Sequence, residues 1–277
     1  MINVDAHQHF WRLDRGGYGW LTAEDHPKIH RDFLPDDLSL NLRRCRIDRT
    51  VLVQAAPTEA ETLFLLELAE ATPFVAGVVG WTDFEALDAP DRIARLAWNK
   101  QLLGLRPMLQ DLPDDEWILR PSVKPAIEAM QAAGLRFDAL VKPRHLPVLA
   151  RFLDRYSELP VVIDHAAKPD IAGGVMEPWA TQMRSIARDT AALVKVSGLA
   201  TEAGPDWNTE TLRPYVEVLL EAFGPARLMW GSDWPVLNEA GDYVRWVATA
   251  NELMAVVPAA ERGPIFGQNA AAFYGFA

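Results

Sequence analysis

Met1-Ile-Asn-Val-Asp-Ala-His7-Gln-His9-Phe10 is the stretch on which the fold turns. Its apolar opening reads as a β-strand, and side chains alternate faces along a strand, so His7 and His9 point the same way. Both imidazoles therefore converge on one small volume. Near the far end of the chain, Arg227-Leu-Met-Trp-Gly-Ser-Asp233-Trp-Pro235 carries an acid just beyond another short apolar run. If the first and last strands are neighbours, His7, His9 and Asp233 meet.

Working outward, residues 1–6, 50–55, 74–80, 103–109, 135–141, 160–164, 193–197 and 226–231 read as buried parallel strands, rich in Val, Leu, Ile and Phe. Helical periodicity runs between them over Thr58–Ala71, Pro121–Ala133, Leu146–Tyr156, Pro178–Thr190 and Thr209–Phe223. Pro121 and Pro178 suit first turns, and Gly134 and Gly224 each stop a helix before the next strand. Strand–helix units of this number in 277 residues predict an α/β fold, a (β/α)8 TIM barrel forming a single domain over 1–277. A doubly wound open sheet is the alternative; it calls for a Gly-rich phosphate loop after the first strand, where this chain has His7-Gln-His-Phe-Trp11.

Bulk properties narrow the function. With 49% hydrophobic residues the chain can bury one large core, and no linker, low-complexity tract or internal repeat divides it. A net charge of −11 opposes phosphate backbones and anionic lipid, so neither nucleic acid nor membrane is an expected partner. No signal-like segment and no long apolar run is present, which predicts a soluble, cytoplasmic protein of unspecified oligomeric state. Cys45 is the only cysteine; it excludes an intramolecular disulfide and is given no role.

In parallel barrels the site is built from residues just past the C-terminal end of each strand. That rule gathers His7 and His9, Gln54, Trp81 and Asp83, Arg106 and Gln110, Lys142 with Arg144 and His145, Asp164 with His165 and Lys168, Ser197, and Ser232 with Asp233. An HxH pair plus a distant His and Asp is a known way to hold one divalent ion such as zinc. The plain alternative for Asp233 is an N-cap of the following helix. Ten tryptophans are many for this length, and Trp11, Trp20, Trp81, Trp117, Trp207, Trp230 and Trp234 fall at strand ends or in rim loops. Indole faces of this kind can wall a sugar pocket, or simply fill core. The long Trp11–Pro35 loop is the candidate lid or partner contact.

Val4-Asp-Ala-His7-Gln-His9-Phe-Trp11, Asp164-His-Ala-Ala-Lys168-Pro, Lys195-Val-Ser-Gly-Leu199 and Gly231-Ser-Asp233-Trp-Pro together resemble the amidohydrolase superfamily, in its lactonase branch. Gly104-Leu-Arg-Pro-Met-Leu-Gln110 and the Trp117 region are most similar to L-fuconolactone and L-rhamnonolactone hydrolases. The resemblance implies hydrolysis of a small-molecule sugar lactone to the aldonic acid. In that scheme Asp233 activates water while His7, His9 and His165 polarise the carbonyl. Arg106, Lys168, Lys142, Gln110, Trp117 and Trp234 are the expected substrate-binding residues.

Departures from the wider superfamily bear on the metal. Its binuclear members carry a bridging lysine or glutamate at the end of strand four and a histidine at the end of strand five. Here those ends read Arg106-Pro-Met-Leu-Gln110 and Val141-Lys-Pro-Arg-His145, leaving at most one ion, with His145 kept open. The resemblance implies that no cofactor is required, the alternative being a single divalent ion on His7, His9, His165 and Asp233. A metal-dependent decarboxylase on the same His and Asp frame is the competing activity.

Overall fold

Strands run parallel in the order of the sequence: β1 (Val4–Gln8), β2 (Arg49–Val53), β3 (Val75–Gly80), β4 (Leu102–Leu105), β5 (Arg136–Ala139), β6 (Val161–Ile163), β7 (Leu193–Val196) and β8 (Leu228–Trp230). The computed structural model describes residues 2–276, so Met1 of the expected first strand lies outside it. Sequences such as Thr50-Val-Leu-Val53 and Val161-Val-Ile163 are buried throughout because helices cover one face and the barrel interior the other. The expected strand over 103–109 stops at Leu105, ahead of the Arg106-Pro107 step, where proline removes a ladder donor.

Helices α1 (Pro35–Cys45), α2 (Glu59–Ala71), α3 (Ala89–Leu96), α4 (Lys124–Ala132), α5 (Leu146–Arg155), α6 (Trp179–Asp189), α7 (Leu199–Ala203), α8 (Thr209–Phe223) and α9 (Tyr243–Leu253) intervene or follow. Side-chain caps start three of them, from Thr58 to Glu61 N, from Asn208 to Thr211 N and from Asp242 to Arg245 N. Each such cap satisfies a donor the helix leaves free. The expected helix from Pro121 begins instead at Lys124, with Pro125 in its first turn. Phe152 of α5 is fully buried with its ring centroid 5.0 Å from that of Phe137, so Phe152→Ala is expected to cost about 3–5 kcal/mol. Among the described residues no helix is long and apolar enough to cross a membrane.

The barrel closes through a seam that carries the chemistry. β1 and β8 share no continuous ladder; the chain just past β8 is joined to β1 by Asp233 N–H donating to His7 O at 2.8 Å and His9 N–H donating to Trp234 O at 2.7 Å. Asp5 completes the seam, its Oδ1 accepting from Ser232 N at 2.8 Å and His7 N at 3.1 Å, its Oδ2 from the Tyr243 hydroxyl at 2.9 Å. Only glycine allows this approach at position 231, where a Cβ would lie 2.8 Å from that of His7. The bonds that close the cylinder thus set Asp233 beside the histidines.

Candidate active site

Asp233, His7, His9 and His165 are brought together from three strand ends, all within 5% of full burial. Asp233 Oδ1 lies 3.3 Å from His9 Nε2, 3.7 Å from His7 Nε2 and 3.9 Å from His165 Nε2, and the His7 and His9 Nε2 atoms are 3.2 Å apart. The Asp233 carboxylate turns to these rings and caps no helix; its backbone sits at φ 58°, a left-handed conformation that Asp tolerates better than most residues. His165 begins a run of four left-handed residues, His165, Ala166, Ala167 and Lys168, with φ between 51° and 61°. Such residues cost roughly 1–2 kcal/mol each and persist only where their surroundings impose them. Trp179 Nε1 donates to Ala166 O at 2.7 Å, and glycine at 198 leaves room that a Cβ, 2.7 Å from His165 Nδ1, would fill.

Each ring is oriented by its other nitrogen. His9 Nδ1 donates to Val53 O at 2.7 Å, and its Nε2 lies within hydrogen-bond distance of Asp233 Oδ1, at 3.3 Å. His165 Nδ1 is 2.9 Å from Ser197 Oγ. Burial, and then the Lys195 ammonium, hold the His7 pKa well below the usual imidazole range. Burial lowers that of His165 to about 4. For Asp233 burial acts upward, but the surrounding imidazoles and the His9 hydrogen bond outweigh it and the carboxylate is held below its ordinary value. At neutral pH the centre therefore presents a carboxylate beside the neutral rings of His7 and His165.

Beneath it lies a layer of which the strand-end rule gathers Arg106 and Asp164 but not Lys195 or Asp138. Lys195 Nζ donates to Asp138 Oδ2 at 2.5 Å and approaches Asp164 Oδ1 at 3.0 Å, and the Tyr274 hydroxyl donates to Asp138 Oδ2 at 2.7 Å. Arg106 Nη1 donates to Asp164 Oδ2 at 3.2 Å, and Arg106 Nη2 donates to the Gln54 carbonyl. Burial would raise the Asp164 pKa, but the Lys195 charge, then His7 and Arg106, hold it far down. The signal for this layer is a charge inside an apolar strand, in Leu193-Val-Lys195-Val and Arg136-Phe-Asp138-Ala.

A cavity of about 500 Å³ opens above the centre, lined by His9, His165 and Asp233 together with Arg106, Gln110, Lys168 and Trp20. His7, fully buried, stands one layer behind that wall. Lys168 Nζ is 3.5 Å from Glu202 Oε1, on the wall. The remaining expected binding residues lie elsewhere. Lys142 ends β5's loop, where its N–H donates to His145 Nδ1 at 2.9 Å, and His145 Nε2 faces Asp115 Oδ1 at 3.1 Å, away from the other donors. Trp117 lines a neighbouring, more apolar cleft with Trp81 and Phe84, its Nε1 donating to Glu85 at 2.9 Å. Trp234 packs edge-on to Phe10 and Phe33 behind the seam. The 11–35 loop is pinned by a Trp11–Phe33 bridge and by Trp20 Nε1 donating to Ala55 O at 2.9 Å; Trp20, Asp25 and His26 form part of the cavity wall.

The donor set also fits one divalent ion. Ligands about 2.0–2.1 Å from a tetrahedral ion lie about 3.3 Å apart, and the Nε2 and Oδ1 separations of 3.2, 3.3 and 3.7 Å among His7, His9 and Asp233 match that spacing. Asp164, near His7 and His165, is already engaged by Lys195 and Arg106.

A parallel eight-stranded barrel with this set at its C-terminal mouth is of the amidohydrolase class, and the chain belongs to the amidohydrolase family, whose model matches residues 4–276. The chain is 48% identical to an L-fucono-1,5-lactonase of Burkholderia ambifaria, over 99% of this chain and 95% of that protein. It is 36% identical to an L-fucono-1,5-lactonase of Burkholderia multivorans, over 99% and 96% of the two. Among solved structures, an amidohydrolase of Burkholderia multivorans with bound zinc superposes with a TM-score of 0.94 at 33% identity, covering all of both chains.

Proposed function

We propose that this protein is a hydrolase of carboxylic esters that opens a six-membered sugar lactone of the L-fucono-1,5-lactone type in L-fucose breakdown. The observation that carries the reading is Asp233 Oδ1 on the cavity wall, 3.3 Å from His9 Nε2, in a chain 48% identical to a lactonase of that name. A water oxygen attacks the lactone carbonyl carbon while Asp233 accepts its proton. His165 and His9, on the wall, stabilise the oxyanion, with Arg106 beside them. The ring C–O bond then breaks, and the leaving alkoxide takes the proton back from Asp233, giving the hydroxy acid, which ionises and releases one proton to solution. Positioned proton transfer of this kind contributes about 10²- to 10⁴-fold.

Lys168 and Gln110 on the wall are suited to ring hydroxyls or the nascent carboxylate. No metal is required in this reading, since an ester carbonyl is already a reactive electrophile. His7, His9, His165 and Asp233 are the residues that would hold a single divalent ion, and such an ion supplies Lewis-acid polarisation of a carbonyl.

The test is a pH-indicator assay on chelator-treated protein with a lactone panel varying one stereocentre at a time. Acid release from the L-fucono compound with no added metal supports both halves of the reading and excludes the decarboxylase. No turnover on any lactone removes it.

A further inference from the structure

Among the described residues, two acceptor atoms from side chains of the cavity wall are buried and have no hydrogen-bond partner, Gln110 Oε1 and Glu239 Oε1. Gln110 follows β4 and falls under the strand-end rule; Glu239 lies further along, at the end of the turn Val236–Glu239, where the rule does not reach. That turn is tied to the base by main chain. Leu237 N–H donates to Asp233 O at 3.0 Å, and Asn238 N–H donates to Pro235 O at 2.9 Å. Asp233 and Glu239 therefore stand at a set separation, the first with 7% of its side chain exposed and the second, nearer the mouth, with 22%.

The neighbours of Glu239 leave its carboxylate free. Lys28 Nζ of the 11–35 loop donates to the Glu239 main-chain O at 2.8 Å, so the loop is fastened through backbone and not through the side chain. His26 Nδ1 is 3.7 Å from Glu239 Oε1, beyond hydrogen-bond reach, and the His26 ring packs edge-on to Trp20 with centroids 5.3 Å apart. No Lys or Arg among the described residues pairs with this carboxylate, whereas the two cations of the wall, Arg106 and Lys168, face Asp164 Oδ2 at 3.2 Å and Glu202 Oε1 at 3.5 Å.

A carboxylate oxygen only accepts, so the partner that Glu239 Oε1 lacks is a donor. On a sugar lactone the donors are hydroxyls. An anionic group is repelled from this corner, so the carboxylate formed on ring opening belongs with Arg106 and Lys168 instead. Trp20, on the same wall, offers an indole face to the C–H side of a ring. In a six-membered lactone C2 is bonded to the carbonyl carbon and its hydroxyl stays among the buried groups around Asp233. The C3 and C4 hydroxyls lie across the ring, toward the mouth.

We propose that Glu239 is a specificity-determining residue whose Oε1 accepts a hydrogen bond from the C3 or C4 hydroxyl of a six-membered sugar lactone held with its carbonyl at Asp233. The assignment rests on the lactonase reading and says which end of the substrate this side of the cavity recognises. The turn between the two carboxylates then acts as a gauge, matching the distance from the reacting carbon to one hydroxyl.

The experiment measures kcat/KM by acid release for wild type and Glu239→Ala on the L-fucono lactone and on its 2-, 3- and 4-deoxy analogues. Wild type is expected to lose about 10- to 100-fold on the 3-deoxy or the 4-deoxy lactone, the worth of a hydrogen bond to a charged group. Glu239→Ala should lose a similar factor on the parent lactone and treat the parent and that analogue alike. An equal loss across the whole panel, as a merely structural role gives, overturns the proposal, and so does an unchanged variant or a wild-type penalty confined to the 2-deoxy lactone. Alanine keeps the main-chain acceptor of Lys28. Should it still fail to fold, Glu239→Gln takes its place, with a smaller preference for the parent over that analogue expected and an unchanged preference overturning the assignment. If wild type hydrolyses lactones without these ratios, this inference falls alone; if it hydrolyses none, the lactonase reading falls and takes the assignment with it.

Discussion

Two layers lie one above the other in this barrel, each built on buried aspartate and doing opposite things. In the lower layer Lys195, Asp138 and Asp164 are fully buried, and each charge has an opposite charge within 3.0 Å. In the upper layer Asp233 meets only imidazoles, two of which burial holds neutral, and one side of the group faces a cavity. A carboxylate fully paired with cations is a strut; one left with lone pairs toward a pocket can accept a proton. His7 belongs to both layers, through Nδ1 below and Nε2 above.

The sharpest way to break the comparison is at Asp233. Asparagine tolerates the left-handed backbone of this position at low cost, and the Asp233 N–H to His7 O seam bond is main chain, so Asp233→Asn is expected to fold normally. Its kcat/KM on the preferred lactone should fall by about 10²- to 10⁴-fold. A variant within three-fold of wild type means the upper carboxylate is as inert as the lower ones.

The lower layer is tested by stability. Lys195→Met leaves Asp138 and Asp164 buried without their cation, and breaking such a pair costs about 3–5 kcal/mol in urea unfolding. Lys195→Met/Asp138→Asn should recover part of that loss. Equal losses in the single and double variants mean that Lys195 matters through packing rather than charge.

The upper layer was legible in the sequence and the lower one only at Asp164, for a physical reason. Residues at strand ends break an apolar run, so His7, His9, His165 and Asp233 declare themselves, and barrel geometry then joins them. Lys195 and Asp138 lie within strands, where the surrounding Val and Phe fix the element and give no hint that two charges meet inside the cylinder. The eight strands followed from apolar runs alone. Side-chain direction past a strand end did not: the left-handed turn at Asp233 sends its neighbour Trp234 to the opposite side, against Phe10 and Phe33. Trp117 and Lys142 likewise depend on short turns, and a residue's order in the chain does not tell which of two adjacent clefts it faces.

Asp5 sharpens the comparison as a third kind of carboxylate, fully buried but met by backbone N–H groups and a tyrosine hydroxyl, with no cation. Burial pushes its pKa from 3.8 up to about 6 despite those hydrogen bonds. The folded protein therefore holds a proton there that the unfolded chain has released, and stability from this group is full below about pH 4 and is lost as pH rises through about 6. The change amounts to at most about 3 kcal/mol. Asp5→Asn, which keeps the Oδ1 acceptor for both N–H groups, should remove that part of the slope from unfolding curves measured between pH 4 and 7. An identical slope in the variant would assign the seam carboxylate to the ion-paired kind.

The smallest effect separates shape from charge on the cavity wall. Lys168 ends the left-handed run at φ 51°, and its ammonium, partly exposed, has only a 3.5 Å approach to Glu202. An ion pair of that exposure contributes about 0–1 kcal/mol, whereas glycine relieves roughly 1–2 kcal/mol of left-handed strain against about 0.5–1 kcal/mol of added chain entropy. Lys168→Gly is thus expected to change stability by no more than about 1 kcal/mol, in the direction of gain. Because the side chain lines the cavity, KM for the lactone should rise several-fold with kcat little altered. A fall in kcat at constant KM would instead place Lys168 with Asp233, among the groups that act on the reacting carbonyl.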